Sequence, residues 1–333
     1  MAEPRRIVVL RSGALGDCLA STPTLRLLRR QFPIADIVLI GDSEKVGILE
    51  GCPYIDRLIP LSHRGSKISY ALRLLKLRRE RWDMLVDMQA SGRSRVQSLV
   101  LGGKRRIGFR KGRWISDLAY TEHVAYDRSV HAVRRFLALT EPLDIDPSAD
   151  DLAQEAAVDA EHRVEASILL ERAHVNSEFA VLQVTTNARG DHRVWPIEAF
   201  AEVAEHLNRV GFHVVVTSLK SDEEPIRRLI EMTQCPIANI SGQTHALTLA
   251  ALVERARIYV GYNTGPMHLA AMARIPIVAL FDVESDLVQW HPWTDSEHRI
   301  VAPPEGSGWN IGSITPRRVI EAIDDVRVCV SRG

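Results

Sequence analysis

Short apolar runs alternate with longer amphipathic segments along the whole chain, and this order predicts parallel strands joined by helices. In the first half the pattern predicts strands at residues 6–10, 37–40 and 84–87 and helices at 19–31 and 68–81. The pattern then restarts, with strands predicted at residues 179–184, 213–217, 257–262 and 277–281 and helices at 159–173, 197–210 and 316–328. The chain therefore reads as two successive α/β halves of similar size.

This repetition predicts two Rossmann-like domains whose parallel sheets face a central cleft, with ligands bound beyond the carboxyl ends of the strands. We expect an N-terminal domain at residues 1–155 and a C-terminal domain at 156–315, followed by a closing helix at 316–333. The sequence leaves open whether that helix packs back on the N-terminal domain. Prolines and acidic residues at 142–147 are typical of a linker near the end of the first domain.

Composition places the chain among globular proteins, since 46% of its 333 residues are hydrophobic and 25% are charged. No apolar run approaches the length of a membrane span, and the amino terminus lacks the apolar segment of a signal peptide. We therefore expect a cytoplasmic protein. Its four cysteines are scattered without a C-x-x-C pair, which favours reduced thiols over a disulfide framework.

Charge is distributed unevenly although the formal net charge is zero. Residues 1–150 carry 26 basic and 17 acidic side chains, and the remainder carries 16 and 25, so the first half is expected to face an anionic partner. The basic stretch at 73–79 favours a solvated helix face. The glycine-rich stretch at 104–113 favours a loop that contacts phosphate or a membrane surface, and no motif indicates nucleic acid. The candidate contacts to this anionic partner are Lys104, Arg105, Arg106 and Arg110.

The loop at residues 11–17, RSGALGD, lies between the first strand and its helix. Gly13 and Gly16 allow backbone N–H groups to approach a ligand closely. The run matches neither the dinucleotide fingerprint nor a P-loop. On local sequence, Asp17 is equally compatible with a cap at the helix start and with a catalytic carboxylate.

Two loops of the second half carry candidate phosphate contacts. Residues 261–268, GYNTGPMH, again join a strand to a helix, where free N–H groups favour an anion such as pyrophosphate. Residues 185–196 offer hydroxyl groups and arginines, although an exposed polar loop with Trp195 as a surface anchor is the alternative. The candidate phosphate contacts in these loops are Thr185, Thr186, Arg193, Asn263, Thr264, Gly265 and His268.

Metal and hydrolase signatures are missing from the sequence. The twelve histidines show no zinc-ligand spacing, and the D-x-D at 144–146 falls in the predicted linker, where we regard it as incidental. No G-x-S-x-G elbow is present. We therefore expect neither a metal nor a cofactor.

Several short runs, taken in their order and spacing from residue 7 to the last helix, resemble the family 9 glycosyltransferases, the bacterial heptosyltransferases of lipopolysaccharide core assembly. The runs are RSGALGD at 11–17, PYID at 53–56, DMQ at 87–89, RRIGF at 105–109, RVWP at 193–196, SGQT at 241–244 and VGYNTGPMHLAA at 260–271.

The resemblance implies a GT-B fold with an acceptor-binding N-terminal domain and a donor-binding C-terminal domain, and inverting, metal-independent transfer. It makes the basic residues of the 104–113 stretch candidate acceptor contacts and the residues of the two phosphate loops candidate donor contacts. It implies that Asp17 is the general base and that the Thr264–Gly265 helix start and Arg193 stabilise the leaving nucleotide diphosphate. Glu223 falls near the family's contact to the donor ribose. The implied partners are an ADP-sugar donor, an anionic lipopolysaccharide inner-core acceptor and a transient contact with the inner-membrane surface.

Two positions depart from the family pattern, since Asn263 replaces its usual Asp and Arg193 its usual Lys before Trp-Pro. Asn keeps an acceptor oxygen but loses the charge, which leaves the donor sugar open. The alternatives are a non-catalytic nucleotide-sugar-binding relative and a GT-B-fold sugar-nucleotide epimerase. A nicotinamide dehydrogenase ranks last because the chain lacks its glycine fingerprint.

Overall fold

The chain separates into two units, residues 1–157 and 158–333. The structure, a computed structural model, describes residues 3–42, 46–62, 66–110, 118–186 and 191–330. Each unit is built around a parallel sheet flanked by helices, which confirms the α/β class with two Rossmann-like halves. The predicted domain bounds and the placement of the closing helix against the first domain stay predictions.

Within its described residues the first unit forms one six-stranded sheet in the order β3-β2-β1-β4-β5-β6. The strands are β1 (Arg6–Leu10), β2 (Asp36–Gly41), β3 (Arg57–Pro60), β4 (Met84–Asp87), β5 (Arg105–Arg110) and β6 (Glu122–Ala125). The helices are α1 (Leu15–Gln31), α2 (Lys67–Arg78), α3 (Gly92–Leu101) and α4 (Ala132–Leu137), with 3-10 turns at Gly47–Leu49, Ala138–Leu143 and Ala149–Leu152.

The described part of the second unit forms a sheet of the same size, in the order β12-β11-β10-β7-β8-β9. Its strands are β7 (Phe179–Gln183), β8 (His213–Val216), β9 (Ile237–Asn239), β10 (Ile258–Tyr262), β11 (Ile277–Leu280) and β12 (His298–Val301). Its helices are α5 (Ala160–Arg172), α6 (Ile197–Arg209), α7 (Glu223–Met232), α8 (Ala246–Val253), α9 (Gly265–Met272), α10 (Glu284–Gln289) and α11 (Pro316–Val330). The 3-10 turns are Asp191–Arg193, Lys220–Asp222 and Ile311–Ser313.

Both sheets share one topology, because the chain in each unit runs outward from the first strand, returns to its other side and runs outward again. The strand order therefore reverses between β1 and β4 in the first unit and between β7 and β10 in the second. Every recorded strand pair is parallel, so the loops that follow these four strands leave each sheet at the same edge. Such a switch point is where sheets of this class bind ligands.

Burial on both faces explains why the central strands are apolar throughout. Ile7, Val8 and Val9 of β1 are completely buried, as are the described side chains of β11 (Ile277–Leu280). Parallel strands covered by helices on both sides read as continuous apolar runs rather than as alternating ones. This is why the sequence pattern located them.

Three segments differ from the sequence prediction. Helix α1 begins at Leu15 rather than at residue 19, because the Asp17 side chain caps its first turn. The predicted linker at 142–147 is wrong: Leu143 and Ile145 are buried, and the segment belongs to the first unit. The predicted loop at 104–113 is also wrong over Arg105–Arg110, which forms β5, and residues 111–113 lie outside the described residues.

Two neighbouring residues of α7 provide a test of the second core. Leu229 is fully buried, whereas Ile230 is 40% exposed on the same helix. We expect Leu229→Ala to lower the free energy of unfolding by about 2–5 kcal/mol, because it removes buried carbon atoms and leaves a cavity. Ile230→Ala should cost less than about 1 kcal/mol. Urea unfolding of both variants checks this, and equal losses would contradict the assigned burial.

Candidate functional site

The predicted site loops lie at the switch points of the two sheets. In the first unit, residues 11–14 follow β1 and residues 88–91 follow β4. In the second unit, residues 184–186 follow β7 and residues 263–264 follow β10. Sequence reasoning placed these loops after strands, and the strand order now shows which of them share an edge.

A charged pair organises the loop that follows β1. Arg11 Nη2 donates a hydrogen bond to Asp17 Oδ1 at 2.7 Å, and Arg11 Nε donates to the Asp17 backbone oxygen at 3.1 Å. The second carboxylate oxygen, Asp17 Oδ2, accepts from the backbone N–H of Ala14 at 3.1 Å. Both oxygens are thus held from the protein side, while the side chain keeps 31% of its surface exposed.

Arg11 is itself buried, with 3% of its side chain exposed. Its Nη1 donates to the Met88 backbone oxygen at 3.0 Å, and its guanidinium lies 4.3 Å from the centre of the Phe136 ring. A buried cation needs partners on all sides to offset its lost hydration. Here the partners come from α1, from the loop after β4 and from α4, so the orientation of Asp17 depends on the packing of these three elements.

Gly13 allows the carboxylate to fold back over the loop. A Cβ atom added at Gly13 would lie 2.6 Å from Cβ of Asp17 and 3.0 Å from its Oδ2. Any side chain at this position would therefore displace Asp17. Gly16 is buried in the first turn of α1. The glycines predicted to let a ligand approach thus also make room for the carboxylate.

Ser12 joins the loops of three strands. Its backbone N–H donates to Gln89 Oε1 at 2.7 Å, and its Oγ accepts from the Asp42 backbone N–H at 2.6 Å. Gln89 follows β4 and Asp42 follows β2, on the two sides of β1. These hydrogen bonds fix the backbone that presents Asp17.

A second carboxylate, Asp87, lies at the end of β4 and is completely buried. It accepts hydrogen bonds from the backbone N–H groups of Gln89 and Ala90 and from the Tyr120 hydroxyl. Burial raises the pKa of Asp87 above its ordinary value, and these hydrogen bonds lower it in part. Asp87 supports the loop that carries Gln89, and no solvent reaches it.

In the second unit, two tyrosines and a tryptophan hold the end of β10. Tyr259 donates from its hydroxyl to the Tyr262 backbone oxygen at 2.7 Å, and the Tyr262 hydroxyl accepts from the Trp195 backbone N–H at 2.6 Å. The Trp195 indole donates to the Ile314 oxygen at 2.8 Å and is buried, so it is not a surface anchor. These hydrogen bonds fix the end of β10 and therefore the position at which α9 begins.

Thr264 is the N-cap residue of α9, and Gly265 and Pro266 begin the first turn of the helix. The first N–H groups of a helix have no partner inside the helix, so this end favours an anion. Close packing also fixes the strand behind it: Gly261 has φ of 150°, and an added Cβ would lie 2.4 Å from the Gln183 oxygen.

The Thr185 hydroxyl belongs to a directed chain of hydrogen bonds. Gln183 Nε2 donates to Thr185 Oγ1 at 2.9 Å, and Ser218 donates to Asp222 Oδ2. Since Ser218 uses its only proton on Asp222, its hydrogen bond with Thr185 is donated by Thr185. Thr185 therefore positions the end of β7, and its proton is already engaged.

Two amide oxygens at this edge are buried acceptors without a hydrogen-bond partner among the described residues: Gln183 Oε1 and Asn263 Oδ1. They lie close to each other in the sheet. Gln183 ends β7 and pairs with Gly261 of the neighbouring β10, and Asn263 directly follows β10. A buried acceptor without a partner costs free energy. This pair consequently favours a ligand that brings hydroxyl or amino hydrogens.

Arg193 lies beside an acidic residue that sequence reasoning did not anticipate. Its Nε forms an ion pair with Asp282, which follows β11. The hydrogen bond to Asp282 raises the pKa of Arg193. Burial and the neighbouring charge of Asp282 raise the pKa of Asp286, in that order of importance. The Arg193 side chain is still 34% exposed, which leaves it accessible to a further anion.

The other predicted donor residues differ in exposure. His268 lies on α9 with 5% exposure, and its ring packs edge-on against Trp290 at 5.8 Å between centres. Thr186 is half-buried after β7, and Glu223 is exposed as the first residue of α7. Residues 187–190 of the same polar loop lie outside the described residues.

Two of the predicted acceptor contacts lie at the amino end of β5, away from the loop after β1. Lys104 Nζ pairs with Asp83 at 2.7 Å. Arg105 donates from Nε and Nη2 to both carboxylate oxygens of Glu122. Both cations already have protein partners, which reduces what they offer to a ligand.

The other two acceptor candidates lie along the same strand. Arg106 donates to the backbone oxygens of Ala119 and Gly103. Arg110 ends β5 at the carboxyl edge, where the Asp17 loop also leaves the sheet. Of the four predicted contacts, Arg110 alone shares that edge.

Among the residues that the structure describes, no three His, Cys, Asp or Glu side chains form a group suited to a metal ion. No helix within the described ranges is long and apolar enough to cross a membrane.

Three residues gain roles that the motifs did not assign: Arg11, Gln183 and Asp282. Arg11 had a sequence signal, since a basic residue directly after a buried strand must find a partner nearby. Gln183, at the end of an otherwise apolar strand, carried a weaker signal of the same kind. Asp282 had none, because its partner Arg193 is distant in sequence.

Comparisons with known proteins place this chain among sugar-transferring enzymes. The model of "Glycosyltransferase family 9 (heptosyltransferase)" matches residues 72–309, more than half of the chain. Lipopolysaccharide heptosyltransferase 3 of Escherichia coli K12 is 28% identical over 296 residues, which cover 84% of this chain and 83% of the relative.

Solved structures with the same fold include a family 9 glycosyl transferase from Veillonella parvula, with a TM-score of 0.86, 23% identity and coverage of 98% of this chain and 99% of that one. The ADP-heptose lipopolysaccharide heptosyltransferase II of E. coli has a TM-score of 0.80 at 23% identity, with the same coverage of both chains. Both resemblances concern the fold.

Asp87 generates a prediction about pH. Because the pKa of Asp87 is higher in the folded than in the unfolded protein, this residue lowers the free energy of unfolding as the pH rises, and the loss is absent at low pH, where both states are protonated. We expect the stability of Asp87→Asn relative to wild type to decrease as the pH falls from 7 towards 4, because wild type alone gains stability by binding this proton. Urea unfolding across this range measures the difference between variant and wild type.

Asp83 provides a control, because its pKa is shifted in the opposite direction from that of Asp87. Its hydrogen bond with Lys104 lowers its pKa, so its contribution is present at neutral pH and lost on acidification. Asp83→Asn should therefore cost stability at pH 7 and less at low pH. The same pH trend for both variants would contradict the assigned environments.

Proposed function

The chain belongs to glycosyltransferase family 9, the heptosyltransferase family of lipopolysaccharide core synthesis, and on this premise we propose its donor, acceptor and chemistry. It transfers heptose or a related sugar from an ADP-sugar to a lipopolysaccharide core acceptor, with inversion and without a metal ion. The structure of a relative named for ADP-heptose supports the donor, and a curated relative named for lipopolysaccharide supports the acceptor.

The observation that carries this proposal is the fixed carboxylate of Asp17. Arg11 and the Ala14 N–H hold it at the switch point of the first unit, and 31% of its side chain remains exposed. A general base must hold one orientation and still reach the proton that it removes. Asp17 meets both conditions.

In the proposed step, Asp17 accepts the proton of the acceptor hydroxyl as that oxygen attacks the anomeric carbon of the donor. The bond from this carbon to the phosphate oxygen breaks, and its electron pair leaves with ADP. Attack from the face opposite the leaving group inverts the configuration. The transition state carries positive charge on the sugar, as in glycoside hydrolysis.

The second unit supplies groups for the leaving diphosphate. Its negative charge grows as the bond breaks, and the N–H groups at the start of α9 and the Arg193 guanidinium stabilise such charge without a metal. Asn263 Oδ1 and Gln183 Oε1 are buried acceptors for hydroxyl or amino hydrogens of the donor. Thr185 acts by positioning the strand end.

The basic first half favours an acceptor that carries phosphates or acidic sugars. Because such acceptors are glycolipids, the proposal includes work at the cytoplasmic face of the inner membrane. Arg110, at the same sheet edge as the Asp17 loop, is the predicted acceptor contact best placed for this role.

One observation favours a second candidate, a non-catalytic nucleotide-sugar-binding relative. Asn263 replaces the usual acidic residue, so the loop after β10 lacks a negative charge that the family pattern carries. The two candidates differ in turnover and agree in ADP binding. The variants below separate them.

We expect Asp17→Asn to lower kcat by about 10²–10⁴-fold, since the amide cannot take the acceptor proton. ADP binding, measured by the shift in melting temperature, should stay unchanged. The assay couples an ADP-heptose donor to a lipopolysaccharide core acceptor in chelator-treated buffer. Asp36→Asn, at the opposite edge of the same sheet, serves as the control and should keep full activity.

Full turnover by Asp17→Asn would reject Asp17 as the base. A wild-type protein that binds ADP but transfers no sugar would support the non-catalytic candidate. Activity that chelation abolishes and a divalent ion restores would overturn the metal-independent mechanism.

Asn263 generates a separate prediction about the donor. Removing its buried acceptor with Asn263→Ala should raise KM for the ADP-sugar about tenfold, roughly the value of one hydrogen bond to a ligand. Binding of ADP alone should change by less than about twofold, because the proposed contact is to the sugar. Asn263→Asp should keep the low KM. An equal loss for ADP and ADP-sugar would place Asn263 at the nucleotide instead.

A further inference from the structure

Helix α2 is apolar on two opposite faces. One face carries Leu74, which is 3% exposed, and the partly buried Tyr70 and Leu77, and it packs on the core of the first unit. The other face carries Ile68, Leu72 and Leu75, which are 73%, 60% and 50% exposed. Helices that cover a sheet normally have one apolar face.

The exposed residues form a stripe of their own. Ile68, Leu72 and Leu75 follow the i, i+4, i+7 spacing of a single helix face. At roughly 100° per residue, this stripe lies about 160° around the helix from the stripe formed by Tyr70, Leu74 and Leu77. The outer stripe therefore faces directly away from the core.

Helix α3 adds two further exposed aliphatic residues, Val96 at 56% and Leu99 at 42% exposure. The two helices touch: Gln97 Nε2 donates to the Tyr70 hydroxyl at 2.7 Å, and Arg78 Nη1 donates to the Val100 oxygen at 2.9 Å. We call Ile68, Leu72, Leu75, Val96 and Leu99 the outer apolar surface.

The helices that carry this surface contain many basic residues and almost no acidic ones. Residues 67–81 contain six basic side chains and one acidic side chain, Glu80, and α3 contains two basic and no acidic ones. Lys76 and Arg73 lie on one side of the outer stripe of α2, and Lys67 and Arg78 lie on the other. An apolar stripe between two rows of cations is the pattern of a helix that lies in the interface of an anionic membrane.

We propose that the outer apolar surface docks on an anionic lipid bilayer, with its aliphatic side chains among the acyl chains and its cations at the lipid phosphates. Charge complementarity selects this occupant. A second copy of the chain would bring the same cations against each other, and like charges facing across an interface oppose association.

This inference deepens the proposed function, since it names the surface through which an enzyme for a glycolipid acceptor would meet its membrane. Its evidence is nevertheless separate, because no residue of the outer apolar surface belongs to the candidate site. Vesicle binding tests the surface, and transfer to a lipid-free core oligosaccharide tests the chemistry. Either result can fail while the other holds.

The experiment measures co-sedimentation of the full chain with vesicles of phosphatidylcholine, with and without about 30% phosphatidylglycerol. Wild type should bind the anionic vesicles and lose that binding as salt screens the charges. Leu72→Ser with Leu75→Ser should reduce the partition coefficient at least about tenfold, as should Arg73→Glu with Lys76→Glu. Melting temperatures should change little, because these side chains are exposed and the contact that Arg73 loses is a surface hydrogen bond to the Pro60 oxygen.

The matched control replaces exposed aliphatic residues elsewhere, Val164→Ser with Ile168→Ser on α5, which are 57% and 40% exposed. This variant should bind vesicles within about twofold of wild type. Equal loss in the control and the test variants would overturn the proposal, as would wild-type binding that ignores phosphatidylglycerol. A wild-type dimer in sedimentation velocity that Leu72→Ser with Leu75→Ser dissociates would identify a second copy as the occupant instead.

Discussion

The reversal of strand order at the centre of each sheet is the constraint on which the candidate site depends. Because the crossover helices diverge from β1 and β4, and again from β7 and β10, the loops after these strands leave open space at one edge of each sheet. Asp17 follows β1, and Asn263 and Thr264 follow β10. Within each sheet, topology thus brings two loops that are distant in sequence to the same edge, and the side chains determine what each edge can bind.

The two units hold the charged side chains at the edges of their own sheets in different ways. In the first unit, the buried Arg11 is surrounded by a carboxylate, a backbone oxygen and the Phe136 ring. These contacts compensate Arg11 for its lost hydration, and the ion pair among them also fixes the orientation of Asp17. In the second, Arg193 remains partly exposed beside Asp282. A pair at the surface can exchange partners at little cost, whereas a buried pair cannot. The proposed base, Asp17, is therefore held in one orientation, whereas the proposed donor contact Arg193 can change its partner.

Much of the fold could be predicted from the sequence, because both-sided burial makes central strands apolar and separates them by helices. Peripheral elements escaped the pattern: β5 is half polar, and residues 142–147 look like a linker although Leu143 and Ile145 are buried. Asp17 and the Thr264–Gly265 turn could be found because their motifs are local. The ion pair of Arg193 with Asp282 could not be predicted, because local sequence does not show which residues of two distant loops come into contact.

The same reasoning explains why α2 reads as an ordinary solvated helix in sequence. Two opposite apolar stripes cancel in any measure of one-sided amphipathicity, so only the packing shows that Leu74 is covered while Leu72 is not. The uneven distribution of charge then favours the approach of the outer stripe to an anionic surface. The first 150 residues carry a net charge of +9 and the remainder −9, so an anionic surface attracts one half of the chain and repels the other. A membrane would therefore orient this protein by its charge before any aliphatic side chain entered the lipid.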